Sequence, residues 1–495
     1  MNWLEIKNLQ SVSLKDIPRV HVDDLTGEIA GGLRSGKRLV QFFGNEEKDI
    51  VTLYVILADD NSSKLFVSSS NFDGNKSYRS ITPLVSSAHL FERELYEQFG
   101  IKPEGHPWLK PVRKGIPGIN SREEKYEFFG MSGQDVHEVG VGPIHAGVIE
   151  PGHFRFSCHG EKIYQLEIKL GFQHRGIEEL FVRNNARQTY LLKLAESVAG
   201  DSVIGHSGAF ASAVESLSNL DITRRAKQIR TSALELERIA VHLGDLSALS
   251  TDVGYLTGSS VFGALRTKII NTTMALCGNR FGRGLITAGG INFDISTALA
   301  GKIISTMDRL NDETTLAAEV LFSSASVLER FEKTGIVSKE TAREIGMVGP
   351  AARASGLAVD VRSDHPSGGY EFFPVHKLTL NSGDVFARAY IRFIEVQQSI
   401  KIIKEQLENF TAGEIKKDVK QLDAEKFAVS LCEGWRGEIA YVLITGKDGK
   451  LSRVKIKDPS FHNWFALSLA VRNEGISDFP LCNKSFNLSY SGFDL

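Results

Sequence analysis

Around residues 110–134 the chain reads KPVRKGIPGINSREEKYEFFGMSGQ, so dense in proline, glycine and charge that no core-forming periodicity crosses it. A polypeptide of 495 residues interrupted in this way folds as at least two units. Before the interruption the sequence reads as strands between polar turns. RLVQFF, IVTLYVIL and KLFVSS, between Arg38 and Ser70, are separated by the polar GNEEKD and ADDNS and predict an antiparallel sheet. LVSSAHLFERELYEQFGI follows, with Leu84, Leu90, Phe91, Leu95 and Phe99 near a helical period and Gly100 to end it.

After the interruption, HFRFSC and KIYQLEIKL alternate like strands. Long helical patterns then run to about residue 410, among them RRAKQIRTSALELERIAVHLGDLSAL and ARAYIRFIEVQQSIKIIKEQLENF. Near the end, GEIAYVLITGKDGKLSRVKI places two strand-like runs around an Asp448-Gly449 turn. The expected fold class is α+β. A small N-terminal α+β domain covers 1–115, a linker covers 116–138, and a mainly helical bundle with peripheral β-hairpins covers 139–495.

Charge and cysteine usage narrow the function. A formal net charge of −2 provides no general attraction to nucleic acid or to an anionic surface. The four cysteines, Cys158, Cys277, Cys432 and Cys482, have no CxxC spacing, which argues against a disulfide framework or a self-contained zinc or iron–sulfur site. No secretory-type segment opens the chain and no run of about 18 apolar residues occurs, so the expectation is a cytoplasmic protein without a transmembrane segment of its own. Gly142, Gly152 and Gly356 stand outside any GxGxxG or GxxxxGK[ST] pattern and predict no bound nucleotide.

Four separated segments resemble one family. ERELYEQFGIKPEGHP, from Glu92 to Pro107, is similar to the end of the small quinone-module subunit of respiratory complex I. VGPIHAGVIEPGHFRF followed by LGFQHRGIEELF resembles the opening of the adjoining large subunit and that of group 4 membrane-bound NiFe hydrogenase large subunits. MVGPAARASGLAVDVRSDHP with Tyr370 and SGDVFARAYIRFIEVQQSI, then EGWRGEIAYVLI, DPSFHNW and the closing FPLCNKSFNLSYSGFDL, carry the likeness to the last residue. Both modules in one polypeptide look like the fused arrangement of formate hydrogenlyase-type hydrogenases and of some bacterial complex I enzymes.

The resemblance breaks where the family's metal would sit. The hydrogenases hold nickel and iron between a CxxCxxxH helix and a DPCxxC segment, because soft thiolates suit those metals. The matching positions here are Ala199, Ser202 and His206 in ESVAGDSVIGHS, and Ser460 and Asn463 in DPSFHNW. With no thiolate left, the reading is a nickel-free protein with no metal bound directly. In complex I a tyrosine of the same helix binds the quinone head group; that position reads Gly200, so the usual tyrosine–histidine pair is missing.

Independently of the family, the spacing i, i+3, i+7 predicts that Ala199, Ser202 and His206 share one helical face bordering a cavity or polar pocket. His206, Ser202 and Asp201 are catalytic candidates there, and the family's GPxH loop adds His145. The alternative for His206 is a hydrogen-bonded core histidine. Glu150 and His153 in EPGHFR are proton-relay candidates by resemblance. Arg175 and Glu178 in HRGIEE match positions beside a partner's iron–sulfur cluster, against the alternative of an i, i+3 surface salt bridge. Gly200, Arg353, Ser460, Asn463 and Ala199 complete the pocket candidates, although Arg353, Asp360 and Arg362 also read as an interior ion group.

The resemblance then implies an oxidoreductase subunit at the inner face of the cell membrane. It would dock on an iron–sulfur small subunit and on antiporter-like and anchor membrane subunits, and pass electrons to an acceptor such as quinone in a nickel-free pocket, coupled to ion translocation. NAD would enter only indirectly, through the whole complex. A non-catalytic scaffold or coupling subunit is the alternative, and an active nickel hydrogenase is disfavoured by the missing cysteines. An open cavity at His206 would favour the enzyme and a closed, filled site the scaffold.

Overall fold

A strand buried on one face alternates apolar and polar residues, whereas one buried on both faces is apolar throughout, and IVTLYVIL is of the second kind. In the computed structural model, which describes residues 2–48, 50–72, 77–113, 126–133, 135–145, 149–185 and 188–495, this run forms the strand Ile50–Asp59. It lies between the antiparallel strands Arg38–Glu47 and Lys64–Phe72, and the short Leu4–Ile6 completes the sheet. One face carries Leu39, Phe42, Leu53, Val55 and Leu57 against the helices Val22–Arg34 and His89–Phe99. The approach is so close that a Cβ on Gly32 would collide with Leu57 Cδ1. Gly100 ends the second helix in the left-handed conformation (φ 68°), while Leu84 lies outside it and is 60% exposed, because the helix begins only at His89.

The opposite face explains the unbroken hydrophobicity. Val40, Phe43, Tyr54, Ile56 and Val67 pack directly against Phe427, Val429, Leu431, Val442 and Ile444 of a second sheet. That sheet is built from Lys426–Gly434, Gly437–Thr445 and Leu451–Lys457, and its outer strand is Val12–Ser13 from the beginning of the chain. The hairpin expected around Asp448-Gly449 is present, with Gly449 at φ 71°. The two sheets thus share one core. Ion pairs flank it: Arg38 joins Asp60 and Glu438, Lys457 joins Glu438, and Lys455 joins Glu94.

The helical part centres on Arg224–Asp252, packed against Leu256–Cys277, Val385–Glu408 and the shorter Val203–Leu217, with Thr297–Ser323 outside. Thr223, Ser296 and Asp384 cap three of these helices by accepting the N–H of Ala226, Leu299 and Ala387. HFRFSC and KIYQLEIKL form the strands His153–His159 and Lys162–Lys169, joined by a third strand, Val136–Val141. The first residues of that third strand fall in the span expected to be linker; of that span, residues 116–125 and 134 lie outside the described residues, as does 146–148 of the GPxH segment. Among the described residues no helix is long and apolar enough to cross a membrane.

Candidate functional site

The predicted helical face through Ala199, Ser202 and His206 does not form. One helix, Gln188–Ser197, ends at Ser197, and the next, Val203–Leu217, begins with Ser202 just before its first turn, so only His206 is helical. The intervening residues are held by the turn of the neighbouring hairpin. Trp435 Nε1 donates to Asp201 O at 2.8 Å, and the Arg436 guanidinium bonds both carboxylate oxygens of Asp201, at 2.6 and 2.7 Å. A bidentate charged pair of this kind fixes geometry as well as adding energy. Glu237, from the central helix, then accepts the free N–H groups of Ile204 and Gly205 at 2.7 and 3.2 Å, serving as the cap that Ser202 does not supply. Burial pushes the Glu237 carboxyl up to about 8 despite these donors.

His206 is fully buried and engaged at both ring nitrogens. Nε2 lies 3.0 Å from Asp458 Oδ2 and Nδ1 lies 3.1 Å from the Tyr441 hydroxyl. Burial opposes the charge on Asp458, yet the bond from His206 and the nearby Arg436 hold this carboxyl below its ordinary range. An ionised carboxylate only accepts, so Nε2 donates to Asp458, while Nδ1 and the Tyr441 hydroxyl bond each other. Tyr441 is held as the phenol, since burial raises it well above its ordinary value. The result is a tyrosine–histidine–aspartate relay linking a helix, a sheet and the segment before the helix Ser460–Ala470.

The former thiolate positions are closed around this relay. Ser460 N–H donates to Asp458 Oδ1 at 2.8 Å, and Ser460 Oγ accepts the N–H of Ser489 at 2.9 Å. Asn463 clamps the backbone of Val348 through Oδ1 and Nδ2, at 3.2 and 3.0 Å. Gly492 packs so tightly that a Cβ there would fall 2.6 Å from Asp458 Cγ. Ala199, Ser202, Ser460 and Asn463 are each at most 2% exposed. Ala199 offers no donor atom, and the oxygens of Ser460 and Asn463 are already occupied by backbone groups. These residues do not fit a nickel–iron centre.

The remaining candidates separate. His145 is not brought to His206: its Nε2 lies 3.0 Å from Gly152 O, and His153 Nδ1 lies 2.9 Å from Gly142 O, so the two loop histidines tie their own loop together. Glu150 is exposed. Arg175 and Glu178 do not form the i, i+3 surface bridge. Arg175, exposed, donates to the carbonyls of Ser197 and Val198, whereas Glu178 turns inward to Arg453, Lys455 and the N–H of Ile456. Gly200 faces open space, with nothing within 4 Å of a Cβ placed there. His174, Glu178 and Glu179 line a cleft of about 310 Å³ shared with Glu94, Arg113 and Arg453.

Arg353 lines no pocket near His206. It is fully buried, with Glu395 at 2.7 Å and Glu433 at 2.7 Å, in a group that also includes Asp360 and Arg362. Sequence reasoning missed Tyr441, Asp458, Arg436 and Glu237 as site residues. A hydroxyl inside the apolar run GEIAYVLI and a carboxylate two residues before Ser460 were the available signals.

A strand-rich module that shares one core with a helical one is the architecture that the resemblance to fused complex I and hydrogenase large subunits implies. Comparison with known proteins shows that family. The model of the respiratory-chain NADH dehydrogenase 30 Kd subunit matches residues 19–114, and that of the 49 Kd subunit matches residues 252–427. Formate hydrogenlyase subunit 5 of Escherichia coli is 30% identical over 489 residues, covering 93% of this chain and 85% of its own. An NADH-quinone oxidoreductase subunit from Phocaeicola vulgatus is 27% identical, covering 81% of this chain and 83% of its own. A chain in the structure of the membrane-bound sulfane sulfur reductase, an archaeal respiratory membrane complex, superposes with a TM-score of 0.68 at 25% identity, covering 73% of this chain and 99% of its own. The chain belongs to the family of energy-converting hydrogenase and complex I subunits in which the two quinone-module domains are fused.

Proposed function

We propose that this chain is the nickel-free large subunit of a membrane-attached, energy-converting redox complex, and that electrons pass from an iron–sulfur cluster of a partner subunit to an acceptor held at the surface between the two subunits. The observation that carries this reading is the contrast within one short segment. The former metal position at His206 is sealed, while the adjoining Gly200 is open and the neighbouring Arg175 guanidinium is exposed. An exposed guanidinium beside a cluster stabilises an added electron and attracts a developing anion on a reduced acceptor. Quinone is the acceptor class that the complex I relatives suggest. Membrane contact comes through antiporter-like and anchor subunits on the inner face.

The second reading, a coupling subunit without its own chemistry, is favoured by the closure itself, since the polar groups of His206, Ser460 and Asn463 already have protein partners.

The test is isolation of the native complex from membranes with quinone-reduction assays on wild type, Gly200→Trp and His206→Ala. Retained assembly with reduction lowered tenfold or more by Gly200→Trp supports the surface acceptor. An assembled wild-type complex that reduces no quinone overturns it and leaves the coupling reading.

A further inference from the structure

Behind the Trp435–Arg436 turn lies a cluster of eight fully buried ionisable groups with no counterpart elsewhere among the described residues. Arg238, Arg353 and Arg362 meet Glu235, Asp360, Glu395 and Glu433, with His242 Nε2 at 2.9 Å from Glu395. They come from five elements: the central helix (Glu235, Arg238, His242), Gly349–Ala354 (Arg353), the Asp360–Arg362 turn, Val385–Glu408 (Glu395), and the end of Lys426–Gly434 (Glu433). Three guanidinium cations face four carboxyl groups. With every carboxyl ionised and His242 neutral, the cluster would hold one uncompensated negative charge in a dry interior, where an unpaired charge is strongly disfavoured.

The contacts indicate which carboxyl is least supported. Asp360 takes both arms of Arg362, at 3.0 and 2.7 Å, with Arg353 at 3.7 Å. Glu395 takes two nitrogens of Arg353, His242, and Arg238 at 3.9 Å. Glu235 takes Arg238, Arg362 and the hydroxyls of Ser399 and Tyr370. Glu433 touches one guanidinium nitrogen, of Arg353 at 2.7 Å, and one backbone N–H, of Val361 at 3.1 Å. Burial, with the charge of Asp360 nearby, pushes Glu433 up to about 7 against the pull of Arg353 and Arg238, while burial moves His242 down. Solvent reaches the edge of the cluster: a cavity of about 120 Å³ is lined by Asp221, Lys227, Ser430, Cys432 and Tyr370, and the Tyr370 hydroxyl bonds Glu235.

We propose that this cluster is a proton-binding site that holds one proton in excess of its fully ionised state, carried by Glu433. Release leaves the Glu433 carboxylate and a proton that exits by way of the Tyr370 cavity; uptake reverses it, and no redox change is required. The position matters. Glu433 is two residues from Trp435 and three from Arg436, and Arg238 binds the carbonyls of Glu433 and Gly434, so a change of charge acts on the turn that fixes Asp201 and the start of the His206 helix. That role in coupling rests on the redox-subunit reading above; the proton site itself does not.

The experiment uses the purified full-length chain, so its outcome is independent of quinone reduction. Infrared difference spectra between pH 6 and pH 9 are expected to show protonated-carboxyl intensity to which Glu237 and Glu97 also contribute, and Glu433→Gln is expected to remove the share of Glu433. In urea unfolding at pH 6, Glu433→Gln, which mimics the protonated acid, is expected to change the unfolding equilibrium less than about threefold, whereas Glu395→Gln, which strips Arg353 of its ion pair, raises it by about a hundredfold or more. Between the ordinary carboxyl range and about pH 7 Glu433 holds a proton in the folded state that it has lost in the unfolded chain, so its contribution makes stability fall as pH rises, and Glu433→Gln makes that slope shallower by about one proton. Carboxyl intensity undiminished in Glu433→Gln, or a Glu433→Gln cost equal to that of Glu395→Gln, overturns the proposal. The infrared arm decides even where Glu395→Gln fails to fold.

Discussion

The His206 relay and the Arg353 cluster are both fully buried and both rich in titratable groups, yet they are held together by opposite means. The relay is small, with one carboxylate, one imidazole and one phenol, and its neighbours are satisfied mostly by backbone N–H and C=O groups. The Arg353 cluster is held by side chains, ion to ion, across five elements. The first joins a helix, a sheet and the segment before Ser460 through single hydrogen bonds. The second is a network in which three guanidinium groups face four carboxyl groups. A hydrogen-bonded plug costs little to vary at its edges; a charge network fails as a unit, because removing one ion leaves its partners buried and unpaired.

The largest effect expected from this difference is in Arg353→Met, which leaves Glu395 and Glu433 facing no guanidinium at short range and destabilises the fold by about 3–5 kcal/mol, read as a lower midpoint in urea. His206→Ala comes next, at about 2–4 kcal/mol, since it opens a cavity and takes the partner from Asp458 Oδ2 and from the Tyr441 hydroxyl. Adding Asp458→Asn to His206→Ala recovers part of that loss if the stranded charge is the main term. Non-recovery would mean that the relay is held by packing rather than by polarity, and would remove the contrast with Arg353.

Acid sharpens the comparison further. Asp458 is held below its ordinary range in the folded protein, so it contributes stability above the unfolded carboxyl pKa, and that contribution is lost as pH falls through the folded value. Glu237 has the opposite sign: raised to about 8, it contributes below the unfolded pKa and loses its contribution as pH rises through 8. Asp458→Asn therefore flattens the acid limb of a stability–pH profile, and Glu237→Gln flattens the alkaline limb. Asn463→Cys breaks both bonds to Val348 and costs about 1–2 kcal/mol, without creating a nickel site, because Ser460 Oγ and the Val348 backbone stay where they are. Ser202→Ala is the smallest change, under about 0.5 kcal/mol, since its hydroxyl meets only Arg436, at 3.4 Å.

Much of the secondary structure was legible in the chain. The three strand-like runs, the Gly100 stop, the two longest predicted helices and the Asp448-Gly449 hairpin depend on neighbours within a few residues, and local pattern reports those directly. The candidate site was legible only in part. The motifs pointed to His206 and Ser460, which the fold brings to one place through Asp458, but a helical reading carried Ala199 and Ser202 onto a face that the helix break removes. That break is held by Asp201 with Trp435 and Arg436, residues more than 200 positions apart.

By itself the sequence determined the family and the absence of cysteine at Ala199, Ser202, Ser460 and Asn463, because each is written in residue identity. Tertiary structure alone decided that Val12 and Ser13 complete a sheet with Phe427 and Lys426, that His206 pairs with Asp458 and Tyr441, and that Glu433 is the least supported acid in its cluster. The reason is physical. Burial, charge balance and hydrogen-bond partnership are sums over groups that are distant along the chain, and no local pattern encodes a sum until the fold has brought its terms together.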